Sequence, residues 1–176
     1  MIELSIVVWV LAGFFAYVGW ERGFMKEVIS LSGITLALFG LYEFDTLIRV
    51  TLFGDLNTAS VYYIQATLFG LVVFFAYQTR ELDDGRSSRR ADRDEAQTKA
   101  LGGIVGFING YMVGGTLWYL LDIANYPLSP RVAAPAPGSP SAEMVSNLPL
   151  YVLGAGEGNL LALMVVVLFI VVLVII

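Results

Sequence analysis

The segment Gly19-Trp20-Glu21-Arg22-Gly23-Phe24-Met25-Lys26-Glu27-Val28 sets four charged residues between two apolar runs. Arg22 and Glu27 are the pair within it that could do chemistry, either as an active-site couple or as a grip on a partner. The rest of the chain limits that chemistry. It has no histidine and no cysteine, which removes the commonest general base, the commonest ligand of haem, copper and catalytic zinc, and every thiolate or disulfide device within the chain. The carboxylates at apolar boundaries, Glu3, Glu27, Asp122 and Glu157, are scattered, and no acid pair lies deep in an apolar run as a proton relay requires. No nucleophile–base couple stands out. The expectation is a non-enzymatic protein with no cofactor and no metal of its own.

The elements that position these residues are membrane helices. With 57% hydrophobic residues, 14% charged and a mean hydropathy of +0.76, the chain is too apolar for a soluble domain, whose surface alone needs about 25% charged residues. Net charge −5 argues against nucleic acid as a partner. Five apolar stretches, near 2–20, 27–43, 59–78, 100–121 and 159–176, approach the roughly 20 residues that span a bilayer, and each must be helical to satisfy its backbone in lipid. The opening apolar run carries Glu3 where a secretory signal would carry positive charge, so it reads as a retained span. The expected fold is all-α, an integral membrane bundle of about five helices. Residues 1–121 form a four-helix membrane domain, 122–158 an outer loop holding all six prolines, and 159–176 a last span.

Orientation follows from basic residues. The connections 21–26 and 79–99 together carry eight Lys and Arg, whereas 44–58 and 122–158 carry two, Arg49 and Arg131. The positive-inside rule then places the N-terminus outside and the C-terminus inside. Residues 80–99 mix six basic with six acidic side chains, a solvated loop that could also dock a cytoplasmic partner. Arg49 suits an interfacial helix from which it snorkels.

Gly102, Gly106, Gly110 and Gly114 recur every fourth residue and form a stripe without side chains along one helix. In lipid such a stripe permits the close approach that substitutes for hydrophobic drive, either against a partner or against small residues of the first two spans, Ala12, Ala16, Gly33, Ala37 and Gly40. Gln65 and Asn109 sit at mid-span, where interhelical hydrogen bonding is expected. Trp9, Trp20 and Trp118, with Tyr62, Tyr63, Tyr119 and Tyr126, read as an interfacial aromatic belt. The last span has a single alanine, Ala162, and no glycine, so it is expected to face lipid or a broad apolar surface.

Gly19-x-x-Arg22-Gly23-Phe24-x-x-Glu27 joining the first two spans, together with the glycine-rich span 101–115, resembles the colicin V production protein family of small multi-pass inner-membrane proteins. The likeness covers about residues 1–121, with the Pro-rich loop and last span as additions. It implies a helical bundle in the cytoplasmic membrane with an envelope- or export-related role. The functional expectation is a scaffold acting through helix packing with other membrane proteins, amid lipids and carotenoid or other pigment held by neighbouring chains. Two alternatives stay open: an accessory subunit of a large respiratory or photosynthetic complex, and a small transporter or channel component. Within 19–28, Arg22 and Lys26 read as topology-setting charge in a cytoplasmic hairpin. Gly23 reads as its left-handed helix stop, and Glu27 as a carboxylate in the first turn of the next helix.

Overall fold

A computed structural model describes residues 3–78, 91–154 and 160–175. The run 79–90, which contains much of the charged loop, and Glu157 lie outside the described residues. The architecture is an all-helical membrane bundle. Among the described residues, four helices are long and apolar enough to cross a bilayer: α1 (Leu4–Arg22), α2 (Phe24–Glu43), α3 (Thr58–Tyr77) and α4 (Ala91–Ile123) from Glu95 onward. Short helices α5 (Pro140–Val145) and α6 (Pro149–Gly154) follow, and then α7 (Leu160–Ile175). In the described residues the expected fifth span is therefore shorter than the others. Its 16 residues rise about 24 Å, less than the roughly 30 Å of hydrocarbon.

α4 is the centre, packing on α1, α2, α3 and α6. Its central place follows from its composition. Antiparallel α1 lies along the glycine stripe, so that Gly102 meets Gly19, Gly106 meets Phe15, Gly110 meets Ala12 and Gly114 meets Val8. A Cβ on Gly102 would come 2.3 Å from the Gly19 carbonyl oxygen, and one on Gly106 would come 2.3 Å from that of Phe15. The stripe offered to a partner or to the chain itself is thus filled by the chain itself. Of the small residues that could match it, Ala12 does so, while Gly33 packs on Ala76 of α3 and Gly40 has no neighbour within 4 Å of a would-be Cβ.

The segment expected as a loop at 21–26 is a single residue. α1 ends at Arg22 and α2 starts at Phe24. Gly23, at φ 83° and donating its N–H to Gly19 O at 2.9 Å, makes the reversal that a side chain would strain. At the opposite end of the bundle, residues 124–154 of the Pro-rich segment form a folded cap with short helices and turns. Ser139 caps α5 through the Ala142 N–H at 3.2 Å, and Pro149 of α6 occupies the space above Gly115. Ser141 is buried against α1, donating to the Glu3 carboxylate and accepting from the Ser5 N–H at 3.2 Å. Tyr126 holds a left-handed backbone at φ 52°, uncommon for a bulky residue. Its hydroxyl accepts from Trp118 Nε1 and donates to Asp122, both at 3.0 Å. Trp118 is therefore a buried core residue instead of a belt residue.

Candidate functional site

The motif at 19–28 closes into a buried cluster at the Gly23 end of the bundle. Because Gly23 reverses the chain in one residue, the last residue of α1 and the first turn of α2 face each other. Glu27 is fully buried and its carboxylate accepts from three donors on three other helices. These are Arg22 Nη1 of α1, Tyr77 Oη of α3 at 2.9 Å and Asn109 Nδ2 of α4 at 2.8 Å. Arg22 is bound in turn. It donates to Ser30 Oγ and to the Tyr77 carbonyl, both at 3.1 Å, and its guanidinium lies 4.3 Å from the centre of the Tyr77 ring. Ser30 completes the circuit by donating to the Ala76 carbonyl at 3.0 Å.

The structure adds two things to the sequence reading. Glu27 lies in the first turn of α2 as expected, and it is also the buried acceptor around which α1 to α4 are tied. Arg22 is one half of a largely buried ion pair, with 18% of its side chain exposed, and so does more than mark topology. Of the residues singled out from sequence, Arg22, Gly23, Glu27 and Asn109 come together here, and Lys26 contributes its carbonyl to Ser30. Tyr77 and Ser30 were missed, since a terminal tyrosine and a helical serine carry no sequence signal of what they face. Asn109 Oδ1 is buried without a partner among the described residues. Turning the amide over would aim that oxygen at the Glu27 carboxylate, so the observed orientation is the one charge permits.

Gln65 belongs elsewhere. It is fully buried near the opposite end, accepting from Arg49 Nη2 at 2.8 Å and donating to Asp45 at 3.2 Å. Arg49 lies on a π-helical segment, Leu47–Leu52, and also bonds Asp45 at 2.7 Å. It turns inward to these partners, where snorkelling towards the interface was expected. Beside it, Asp122 accepts from Tyr126 and, at 2.6 Å, from Tyr151 of α6. Desolvation at this surface, opposed by the Trp118 N–H and assisted by Asp122, pushes the Tyr126 hydroxyl up to about 12. Burial raises Tyr151 as well, with Asp122 adding to it.

Among the described residues no three acidic side chains converge to hold a metal, and the Glu27 carboxylate is engaged by donors from three other helices. What the cluster does is tie the ends of α1, α2 and α3 to the middle of α4.

No curated protein and no solved structure matches the chain. A family model, Colicin V production protein, matches residues 4–148. That match takes in α1 to α4 and runs on through most of the Pro-rich cap, which the sequence reading had set outside the resemblance. The motif that forms the buried cluster, the glycine seam and most of the cap fall within it, and the chain belongs to the colicin V production protein family.

Proposed function

We propose that this multi-pass membrane protein is a non-enzymatic scaffold of the cytoplasmic membrane, in an envelope- or export-related role, that packs against helices of another membrane protein. The observation that carries the reading is a groove between α2 and α3. The two helices meet closely at the Gly23 end, where Ser30 bonds Ala76 and Gly33 packs on it. They then diverge, leaving a groove of about 330 Å³ lined by Leu36, Ala37, Gly40, Phe44, Leu68 and Val72 among others. Leu36, Phe44 and Leu68 are about half exposed. Among the described residues nothing lies within 4 Å of a would-be Cβ at Gly40 on the floor, and small residues there would let a foreign helix approach closely.

The interior supports a scaffold over a conduit. Between the Glu27 cluster and the polar groups near Gln65 lie Ile34, Leu38 and Phe69, all 0–1% exposed, and with them the buried hydroxyl of Thr35 is the polar group of this stretch of α2. The Gly23 end carries Arg22 and Lys26 and is the end we assign to the cytoplasm.

The test uses a photo-crosslinking residue at Leu68 in the native membrane, with and without Gly40→Leu. A Leu at position 40 meets no atom of its own chain at Cβ, so the bundle should keep its thermal stability while the crosslinked partner is lost. An unchanged crosslink pattern with Leu in the groove would exclude this face as the docking surface.

A further inference from the structure

We infer that the pocket bounded by Ser5, Trp9, Tyr111, Glu143 and Asn147 binds the ammonium headgroup of a membrane phospholipid of the ethanolamine type. The pocket, about 590 Å³, lies where α1, α4 and α5 meet at the cap end. Ser5 and Trp9 are in the first turns of α1, so the site stands at the depth where aromatic residues meet lipid headgroups.

Its chemistry is that of a cation site. Trp9 stacks on Tyr111 at 5.6 Å and 22°, and Trp9 remains 49% exposed. Glu143 is exposed and is the lone charged residue of the lining, which includes no lysine or arginine. An acid beside electron-rich rings attracts an ammonium group and repels phosphate-only or carboxylate ligands. The walls are built into the fold. The Tyr111 hydroxyl is committed to the Asn147 carbonyl at 2.5 Å, and Asn147 Nδ2 to the Glu143 carbonyl at 3.3 Å.

Below the pocket the face turns apolar. Trp9 also stacks on Phe107 at 6.0 Å, and Phe107 borders a largely apolar groove of about 780 Å³, floored by Ala16, Ala100 and Gly103, whose far end reaches Trp20 and Glu21. Carboxylate, aromatic pair and the near part of this groove follow one another in the order of amine, phosphoglycerol and acyl chain in the lipid. A basic helix end from a partner protein would satisfy Glu143 alone, whereas a phospholipid satisfies the whole gradient.

The experiment places the full chain in phosphatidylglycerol vesicles doped with brominated-chain phosphatidylethanolamine or with its N-acetylated analogue, which lacks the ammonium charge. The readout is the part of the tryptophan fluorescence that Trp9→Phe abolishes. The amine lipid should quench it at about fivefold lower mole fraction than the acetylated lipid, the scale of one exposed cation–ring contact with a nearby acid. Glu143→Gln, at an exposed position, should bring the two lipids within twofold. Equal quenching by both lipids in the unmodified chain, or a preference untouched by Glu143→Gln, would overturn the site. Failure of every brominated lipid to reach Trp9 would overturn it in favour of a protein covering this face.

Discussion

Arg22 and Glu27, separated by the one-residue reversal at Gly23, bond to each other inside a ring of Tyr77, Ser30 and Asn109. The pair therefore connects α1 to α2 directly and, through its other bonds, to α3 and α4.

Leaving one member of such a pair alone should cost far more than removing both. Glu27→Leu and Arg22→Met are each expected to destabilise the bundle by about 3–5 kcal/mol, because each strands a charge or its donors in a low-dielectric site. The double variant should recover much of the loss. Thermal unfolding of the three purified variants in detergent, read as a double-mutant cycle, checks this; strictly additive losses would mean that the two side chains act independently.

The glycine seam gives a second contrast. Gly106→Leu drives a side chain into the Phe15 carbonyl and should separate α1 from α4, at a cost of about 3 kcal/mol or more. Gly13→Leu, on the same α1 but with nothing within 4 Å of its Cβ, should leave stability within about 0.5 kcal/mol. A fluorescence-detected melting series separates the two.

For topology, the absence of native cysteine makes single introductions clean. Gln97→Cys and Ser146→Cys are at exposed positions at opposite ends of the bundle. An impermeant thiol reagent applied to intact cells should modify Ser146→Cys alone, and Gln97→Cys only after the membrane is opened. Labelling of both from one side would rule out the antiparallel arrangement of spans about the bilayer.

The cap offers a pH test. The Tyr126 hydroxyl titrates near 12 in the fold against about 10 in an unfolded chain. Its protonated form is thus the one the fold favours. The associated stability is fully present below pH 10 and is lost as pH rises through about 12. Tyrosinate absorbance of the wild type minus that of Tyr126→Phe should show this late titration. Asp122→Asn, which removes the neighbouring negative charge, should move it downward.

Composition and apolar run length alone determined that this is a helical membrane protein and located α1 to α4, because an apolar stretch of bilayer length has only one way to satisfy its backbone in lipid. The charge asymmetry and the Gly-x-x-Arg-Gly-Phe motif likewise marked where the chain reverses and pointed to the family. The glycine period revealed that a close contact exists, but a stripe of glycines is equally suited to any helix; only the packed structure shows that α1 fills it. The same limit applies to Arg22 and Glu27. In sequence they are charges at the end of an apolar run, and helix ends are ordinarily wet. Whether they lie in water or among Tyr77, Ser30 and Asn109 depends on helices that are up to 82 residues away along the chain. Gln65, expected from its depth in a span to make a polar contact between helices, finds Asp45 and Arg49, partners that the sequence does not name because they come from the connection between α2 and α3. The cap resisted reading for a related reason. Its prolines forbid long helices but say nothing about the side chains it lays on the bundle, and the Ser141 and Tyr151 contacts that seat it exist only once α1 and α4 are side by side.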